Sequence, residues 1–259
     1  MKRVFALGAA IAGIMLLAGE SCTVGTGVGS VSGDLYVTNC WSGKFDLQPD
    51  FFAAEPNATD DSLLLRIQRG SDYTNFSDGV SILVMHVTEL REAIEANGPQ
   101  ALSVSLPPSV VPPGVPITPN PNPSSVQFAL YLQQTCRPET PGLYALDTVT
   151  TNGGGEDGGP LCSADTAALA GQCGSTTPVP TGTSTITFQH IFDATLADGG
   201  DPGSLNADQR LIQATFDVLL ADPRDECSGG LGPPPACRGH LTGSFRFYFE
   251  RGKPAQPFP

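Results

Sequence analysis

Glycine and proline interrupt this chain so often that long helices have little room to form. The 259 residues include 30 glycines and 24 prolines, and proline inside a helix removes a hydrogen bond and clashes with the preceding turn. Between these residues lie short segments in which apolar and polar side chains alternate, which is the two-residue period of a half-buried strand. The spacing therefore predicts an all-β fold.

Ten segments carry the strand pattern, at residues 34–40, 44–47, 62–69, 80–87, 102–106, 126–133, 143–149, 184–196, 211–220 and 241–249. One helix is predicted over residues 89–97, with Thr88 as its N-cap and Gly98 and Pro99 at its end. Because strands and helices do not alternate, we expect antiparallel pairing. The predicted fold is a β-sandwich of Greek-key or jelly-roll type with one short helix and long Pro/Gly-rich loops.

The stretch 107–123 contains eight prolines in seventeen residues. Neither a central strand nor a helix can continue through it, so we predict a stiff, extended loop with polyproline character. Two interpretations stay open. The loop could be a rigid connection across one end of the sandwich, or a segment that docks in an aromatic groove of a partner.

The first 21 residues have the layout of a secretory signal peptide. Lys2 and Arg3 precede an uncharged, apolar stretch at residues 4–18. That stretch is shorter than the about 20 apolar residues of a membrane-spanning helix. We therefore predict that the protein is exported and that residues 1–21 are removed.

Cys22 follows the apolar stretch closely, and this arrangement resembles the lipobox of bacterial lipoproteins. Ser21 fits the family pattern, whereas Gly19 and Glu20 replace its usual leucine and small residue. The resemblance covers the first 22 residues. The mature domain resembles no characterised family, and it is similar in composition and style, rather than in any motif, to lipoproteins of high-GC Gram-negative bacteria. The lipobox resemblance implies that Cys22 is diacylated and holds an outer-membrane lipoprotein in the cell envelope. Ordinary signal-peptide cleavage is the alternative.

The domain organisation after the cleavage site follows from composition. Residues 22–33 combine the anchor cysteine with small residues and glycine, a composition typical of a flexible tether. Residues 34–259 are predicted to form a single β-sandwich domain, since an all-β domain can reach this size.

The cysteine count agrees with lipidation at Cys22. The chain has seven cysteines, and an odd number in an exported protein needs a reason. Six remain for disulfides: Cys40, Cys136, Cys162, Cys173, Cys227 and Cys237. Local pairing of Cys162 with Cys173 and of Cys227 with Cys237 leaves Cys40 to pair with Cys136. Metal binding is the alternative, but the chain has no C-x-x-C pair and three histidines, which does not match zinc sites.

Charge and motifs exclude several functional classes. The net charge of −13, without a basic stripe, argues against nucleic-acid binding. The sequence contains no nucleophile elbow, zinc-protease helix, P-loop or dinucleotide loop on a strand-to-helix turn. No catalytic residue is predicted, and the balance favours a non-catalytic protein.

The last predicted strand offers the best candidate for a binding surface. One of its faces is polar and runs through His240, Thr242, Ser244, Arg246, Tyr248 and Glu250, of which the first five are the candidate binding residues. A solvated sheet face without a ligand is the alternative interpretation. His86 and His190 alternate with apolar residues and are predicted to lie in the core or at a sheet edge.

No cofactor or metal site is predicted, and Ca²⁺ is the one candidate ion. Its oxygen ligands would come from acidic loops, namely Asn57 with Asp60 and Asp61, Glu156 with Asp157, and Asp198 with Asp201. Solvated turns are the alternative. Trp41, the single tryptophan, is placed in a turn over residues 41–43, where it would either pack against the Cys40 disulfide or stack on a sugar.

Three functions are therefore open. The first is a cell-envelope lipoprotein that acts as a non-catalytic binding or structural module, with the membrane and an envelope protein or glycan as partners. The second is a carbohydrate-binding β-sandwich, with or without calcium. The third is a hydrolase with paired carboxylates, which would have to lie about 5–10 Å apart in a cleft.

Overall fold

A computed structural model of the chain describes residues 27–37, 39–57, 59–70, 77–104, 126–136, 142–145, 184–192, 210–222 and 237–249. The predictions for the signal peptide, Cys22 and the proline-rich stretch 107–123 lie outside these ranges. So do the predictions for Cys162, Cys173 and Cys227.

The described residues form eleven strands and one helix. The strands are β1 (Gly27–Val37), β2 (Trp41–Leu47), β3 (Phe51–Asn57), β4 (Ser62–Gln68), β5 (Gly79–Met85), β6 (Gln100–Ser103), β7 (Val126–Tyr131), β8 (Gly142–Ala145), β9 (Thr185–His190), β10 (Leu211–Ala221) and β11 (Cys237–Tyr248). Helix α1 (Val87–Asn97) connects β5 to β6.

All eleven strands belong to one sheet, and every strand-to-strand ladder is antiparallel. Its main path runs β2-β1-β11-β10-β8-β7-β5-β4-β3. The predicted mostly β, antiparallel fold with one helix is confirmed. The strands form one continuous sheet, whereas the predicted sandwich has two.

The sheet branches at β10. One edge of β10 pairs with β11, and the other edge pairs with β9 at residues 213–217 and with β8 at residues 220–221. Between these two stretches, the backbone N–H of Leu219 donates to the hydroxyl of buried Ser184 over 2.8 Å. The branch creates two groups of strands. We call β2, β1, β11, β10, β9 and β6 the front wing, and β8, β7, β5, β4 and β3 the rear wing.

The sheet must curl, because its two end strands are neighbours in sequence. Strands β2 and β3 lie at opposite ends of the main path, yet only residues 48–50 join them. Such a linker spans at most about 14 Å. The wings accordingly meet across the core. The Phe52 ring of β3 lies 5.7 Å from that of Phe247 on β11, and the Phe128 ring of β7 lies 5.0 Å from that of Phe216 on β10.

The predicted tether is wrong in its C-terminal part, residues 27–33. Gly27 to Gly33 form the first half of β1 and pair with β11, so the domain begins at or before residue 27. The glycines here serve close packing. A Cβ atom at Gly27 would lie 2.8 Å from the Phe52 ring, and one at Gly33 would lie 2.0 Å from the carbonyl oxygen of His240.

Strand β3 was not predicted from the sequence, because Pro56 within it argues against a strand. β3 is an end strand of the main path and pairs with β4 on one side. Proline is tolerated at such an edge because its missing N–H removes no ladder hydrogen bond there.

The turn between β1 and β2 includes residues 39 and 40, whereas the prediction placed it at residues 41–43. Asn39 adopts a left-handed conformation with φ 60°, and the N–H of Cys40 donates to the carbonyl of Val37 over 3.0 Å. Trp41 therefore begins strand β2.

The structure contains the predicted disulfide between Cys40 and Cys136, whose Cα atoms are 5.4 Å apart. It joins the β1–β2 turn of the front wing to the end of β7 in the rear wing. The turn at Cys136 is held by Asp78, whose carboxylate accepts the N–H groups of Gln134 and Thr135 over 2.9 and 3.1 Å. Cys237 is also disulfide-bonded.

Helix α1 begins two residues earlier than predicted, and Thr88 is not its N-cap. The helix is capped from outside by Asp61 in the β3–β4 turn. The Asp61 carboxylate accepts from the backbone N–H of Thr88 over 3.2 Å and from its hydroxyl over 2.8 Å. The helix ends as predicted at Gly98, which has φ 80° and donates its N–H to Ile94 over 2.8 Å.

Candidate binding face

The outward residues of β11 form the polar surface that the sequence predicts. Leu241, Phe245 and Phe247 point inward and are buried. Between them, Thr242, Ser244 and Arg246 are exposed, whereas His240 and Tyr248 are half-buried. The structure thus places all five predicted residues on one face of one strand. Ligand binding by this face stays a prediction.

Neighbouring strands extend this surface with hydroxyl groups. Residues directly opposite each other in an antiparallel sheet share a face. One row across the front wing consists of Asp46, Ser32, Thr242, Asp217, Thr185 and Ser103. The next row consists of Ser30, Ser244, Thr215, Thr187 and Ala101. We call the outer surface of the front wing the front face and these two rows its hydroxyl rows.

The hydroxyl rows place eight serine and threonine side chains on five adjacent strands, and Asp46 extends the first row to a sixth strand, β2. All eleven residues of the two rows are exposed or half-buried. Neighbouring strands lie about 4.8 Å apart, so the rows extend over roughly 24 Å. The sequence shows each strand's alternation but not the register, and so only the β11 part of this surface could be predicted.

A chain of charged side chains crosses one end of the front face. Lys44 on β2 donates to Asp34 on β1 over 2.8 Å, and this hydrogen bond with its charge raises the pKa of Lys44. Asp34 lies opposite His240. Nε2 of His240 in turn lies 2.6 Å from Oδ1 of Asp217 on β10. Each charged group at this end therefore has a partner.

Arg246 lies toward the other end of the front face. Its guanidinium donates to the hydroxyl of Tyr248 over 3.1 Å and lies 5.8 Å from the centre of that ring. Gln213 of β10 and Val28 of β1 lie directly opposite. Among the described residues, no carboxylate forms an ion pair with Arg246.

The prediction that His190 lies in the core or at a sheet edge is wrong for the core, because His190 is exposed at the last residue of β9. Gln213 pairs with His190 and Ala214 with Phe188, which leaves Gln189 as an extra residue in β9. Such a bulge interrupts the alternation of side chains and re-aims them. Nε2 of Gln189 lies 3.4 Å from the hydroxyl of Thr215 on the front face, and His190 is exposed.

The core or sheet-edge placement of His86 is also wrong. His86 lies after β5, at the residue that precedes α1, where its backbone is left-handed with φ 55°. Its side chain is exposed. The apolar alternation of β5 ends at Met85 because the chain turns there into the helix.

The candidate calcium ligands near Asn57 are occupied by protein contacts. The amide of Asn57 donates to Asp60 over 2.8 Å and its carbonyl accepts from the N–H of Thr59 over 3.0 Å, while Asp61 caps α1. Within the described ranges, no group of three or more His, Cys, Asp or Glu side chains converges. Glu156, Asp157, Asp198 and Asp201 lie outside those ranges.

Trp41 lies at the margin of the core. Its ring meets that of Phe45 edge-on at 5.6 Å, and the side chain is half-buried against the core. Its indole N–H is buried and finds no hydrogen-bond partner in the described part of the chain. Trp41 therefore packs against the core and does not present its ring as a free aromatic surface.

The outer surface of the rear wing is different. The alternation of β4 predicts Arg66 and Gln68 on a solvated face, yet both are buried, with 3% and 2% of their surface exposed. The Nε–H of Arg66 donates to Gln68 over 2.6 Å, and the guanidinium lies 6.0 Å from the centre of the Phe51 ring. Burial lowers the pKa of Arg66. No sequence signal distinguishes this strand from one with a solvated face.

No helix in the described ranges has the length and apolar character needed to span a membrane. Comparison with protein-family models, curated proteins and solved structures finds no match to this chain. Fold and site are therefore interpreted from the chain's own residues.

Proposed function

We propose that this protein is a non-catalytic binding module of the bacterial cell envelope and that its front face binds glycans. The hydroxyl rows carry this proposal. A serine or threonine hydroxyl can both donate and accept a hydrogen bond, which suits the hydroxyl groups of a sugar. Eight such groups lie side by side on five strands. A broad polar array of this kind, in which Asp46 and Asp217 are the charged members, suits an extended chain of sugars better than a small molecule.

The acidic side chains near the hydroxyl rows support binding rather than catalysis. Asp34 is bonded to Lys44, Asp217 to His240, and Asp46 accepts the amide of Gln48 over 2.7 Å. They lie on the outer face of a curled sheet, where water has free access. A carboxylate pair for hydrolysis needs a free acid and a free base on either side of the substrate.

Glycan binding can be tested with the domain lacking its lipid. The double variant Thr242→Val, Ser244→Ala removes two hydroxyls from the centre of the rows. Each hydrogen bond contributes about 0.5–1.5 kcal/mol, so affinity for a glycan found on an array should fall by about tenfold. Ser81→Ala is the control, because Ser81 lies on the outer surface of the rear wing. A front-face variant that binds like the wild type, or an array without any bound glycan, would contradict the proposal.

The envelope location rests on the N-terminal sequence. We expect the chain to be acylated at Cys22, so cells fed a clickable fatty acid should label the wild-type protein but not Cys22→Ala. Cys237→Ala serves as a control for the loss of a cysteine as such. Label that persists in Cys22→Ala, or that is missing from the wild type, would refute the anchor.

The sandwich interpretation also belongs to this proposal. The front and rear wings would be its two layers, and the contacts of Phe52 with Phe247 and of Phe128 with Phe216 support this. A distance measurement between spin labels at Thr215 and Ser81 would test it. Two layers place these outward residues more than one sheet spacing, about 10 Å, apart.

A further inference from the structure

One corner of the front face carries a positive charge that no acid among the described residues neutralises. Arg246 on β11, Gln213 on β10 and His190 on β9 lie directly opposite one another in register. Tyr248 adjoins Arg246 along β11. We call these four residues the bulge corner, because the β9 bulge places His190 there.

Arg246 has no paired acid within the described ranges. Lys44 is bonded to Asp34, and Arg91 lies 3.9 Å from Glu95, whereas Arg246 contacts the neutral Tyr248. On β10, Asp217 lies four residues from Gln213, or about 14 Å along the strand, and is bonded to His240. An exposed guanidinium without an acid is unexpected on a chain of net charge −13.

The chemistry of the bulge corner suits a carboxylate or a phosphate. A guanidinium presents parallel N–H donors that match the two oxygens of such a group. Tyr248 restrains that guanidinium through its hydroxyl and its ring, which lowers the entropy lost on binding. The amide of Gln213 is a neutral donor beside it, and His190 adds a further donor.

We infer that the front face recognises an anionic glycan, with the neutral sugars on the hydroxyl rows and a carboxylate or phosphate substituent on the bulge corner. This inference rests on the proposed glycan binding and specifies its ligand. The two parts are continuous, because Ser244 and Thr215 of the hydroxyl rows are two residues from Arg246 and Gln213 along the same strands. One extended molecule can therefore contact both.

Matched pairs of glycans test the inference on the full mature domain. Oligogalacturonate is compared with its methyl ester, and a phosphorylated mannan with the dephosphorylated mannan. The wild type should prefer the charged member of one pair, and which pair it is identifies the anion. Arg246→Gln should lower affinity for that charged member by about ten- to hundredfold, leave the neutral member unchanged and abolish the salt dependence of binding. Lys44→Gln, which removes a paired cation from the same face, should retain the preference.

The outcomes distinguish a failure of anion recognition from a failure of glycan binding itself. Equal binding of charged and neutral members, unchanged in Arg246→Gln, overturns the inference and leaves glycan binding intact. Absence of binding to every glycan overturns both. Inorganic phosphate or monomeric galacturonate that binds as tightly as the polymer also overturns the inference, because the hydroxyl rows would then contribute nothing. Circular dichroism of each variant checks that it is folded.

Discussion

The outer surfaces of the two wings have the same strand geometry but different relations to water. On the front face, serine, threonine and Arg246 are exposed or half-buried. On the rear wing, Phe51, Arg66 and Gln68 lie on the outer side and are buried. Alternation along a strand therefore tells which residues share a face, but it does not tell whether that face meets solvent.

The contrast between two arginines makes this difference concrete. Arg66 and Arg246 both point outward from a strand, and both have an aromatic ring about 6 Å away, at 6.0 Å for Arg66 and 5.8 Å for Arg246. Arg66 is 3% exposed and contributes to the packing of its wing, whereas Arg246 is available to a ligand. We expect mutations to separate these roles.

The largest loss of stability should follow from removing an aromatic contact between the two wings. Phe128 is 1% exposed, and its ring lies against Phe216 of the front wing. Phe128→Ala should lower the free energy of unfolding by roughly 3–5 kcal/mol, measured by chemical denaturation. Thr215→Ala, on the exposed front face, should stay within about 0.5 kcal/mol of the wild type. Similar losses in both variants would mean that the wings do not share one core.

A smaller effect should distinguish the two arginines. Arg66→Ala removes the hydrogen bond to buried Gln68 and the contact with Phe51, so it should cost about 1.5–3 kcal/mol of unfolding free energy. Arg246→Ala should change stability by no more than about 0.5 kcal/mol. Equal effects on stability would show that burial does not separate the two outer surfaces.

The sequence predicts those parts of the fold that depend on the alternation of apolar and polar residues and on the glycines and prolines that end strands and helices. The inward residues Leu63, Leu65 and Ile67 are buried as their spacing predicts, and helix α1 ends at Gly98. The start of α1 could not be predicted, because its cap, Asp61, comes from a turn 27 residues earlier in the chain. The first half of strand β1, residues 27–33, was missed because its glycines are typical of a flexible segment, and the sequence does not show the neighbours against which they pack.

The candidate site could be predicted only within a single strand. The five outward residues of β11 follow from alternation, but Ser30, Thr215 and Thr187 join them through register between distant strands. His190 was misplaced because one extra residue in β9 reverses its direction. A bulge depends on how two strands pair, and the sequence of one strand contains no sign of it.

The third largest loss of stability should follow from a substitution at Gly243, where β11 packs closely against its neighbours. Gly243 lies opposite Phe216, and a Cβ atom at Gly243 would lie 2.3 Å from that ring and 2.3 Å from the carbonyl oxygen of Ser30. Gly243→Ala should therefore cost about 1–3 kcal/mol in chemical denaturation. Ser244→Ala, the next residue along, serves as the control with almost no loss. Unchanged stability of Gly243→Ala would mean that β11 packs less closely against β1 and β10 than the structure shows.

The smallest effect should be a pH dependence of the unfolding free energy that comes from Tyr131 in the rear wing. The pKa of Tyr131 is raised to about 12, against about 10 in the unfolded chain. The largest cause is the partial burial of Tyr131, and the charge of Tyr144 and a hydrogen bond with Tyr144 add to it. Since the raised pKa favours the neutral, folded form, its contribution is complete below pH 10. It is lost as the pH rises to about 12. The unfolding free energy of the wild type should fall more steeply over this range than that of Tyr131→Phe, and parallel curves would contradict the prediction.

The pairing of β1 with β11 has a consequence for how the molecule is made. Gly27 lies opposite Phe247, so the first strand to be synthesised finds its partner only after more than two hundred further residues. Contacts between such distant segments slow folding, because the entropy of closing the long loop between them must be overcome before the contacts form. Until the last strand arrives, β1 and β10 each keep an open edge that could pair with another chain. We therefore expect C-terminal truncation before residue 237 to give aggregation rather than a smaller stable domain.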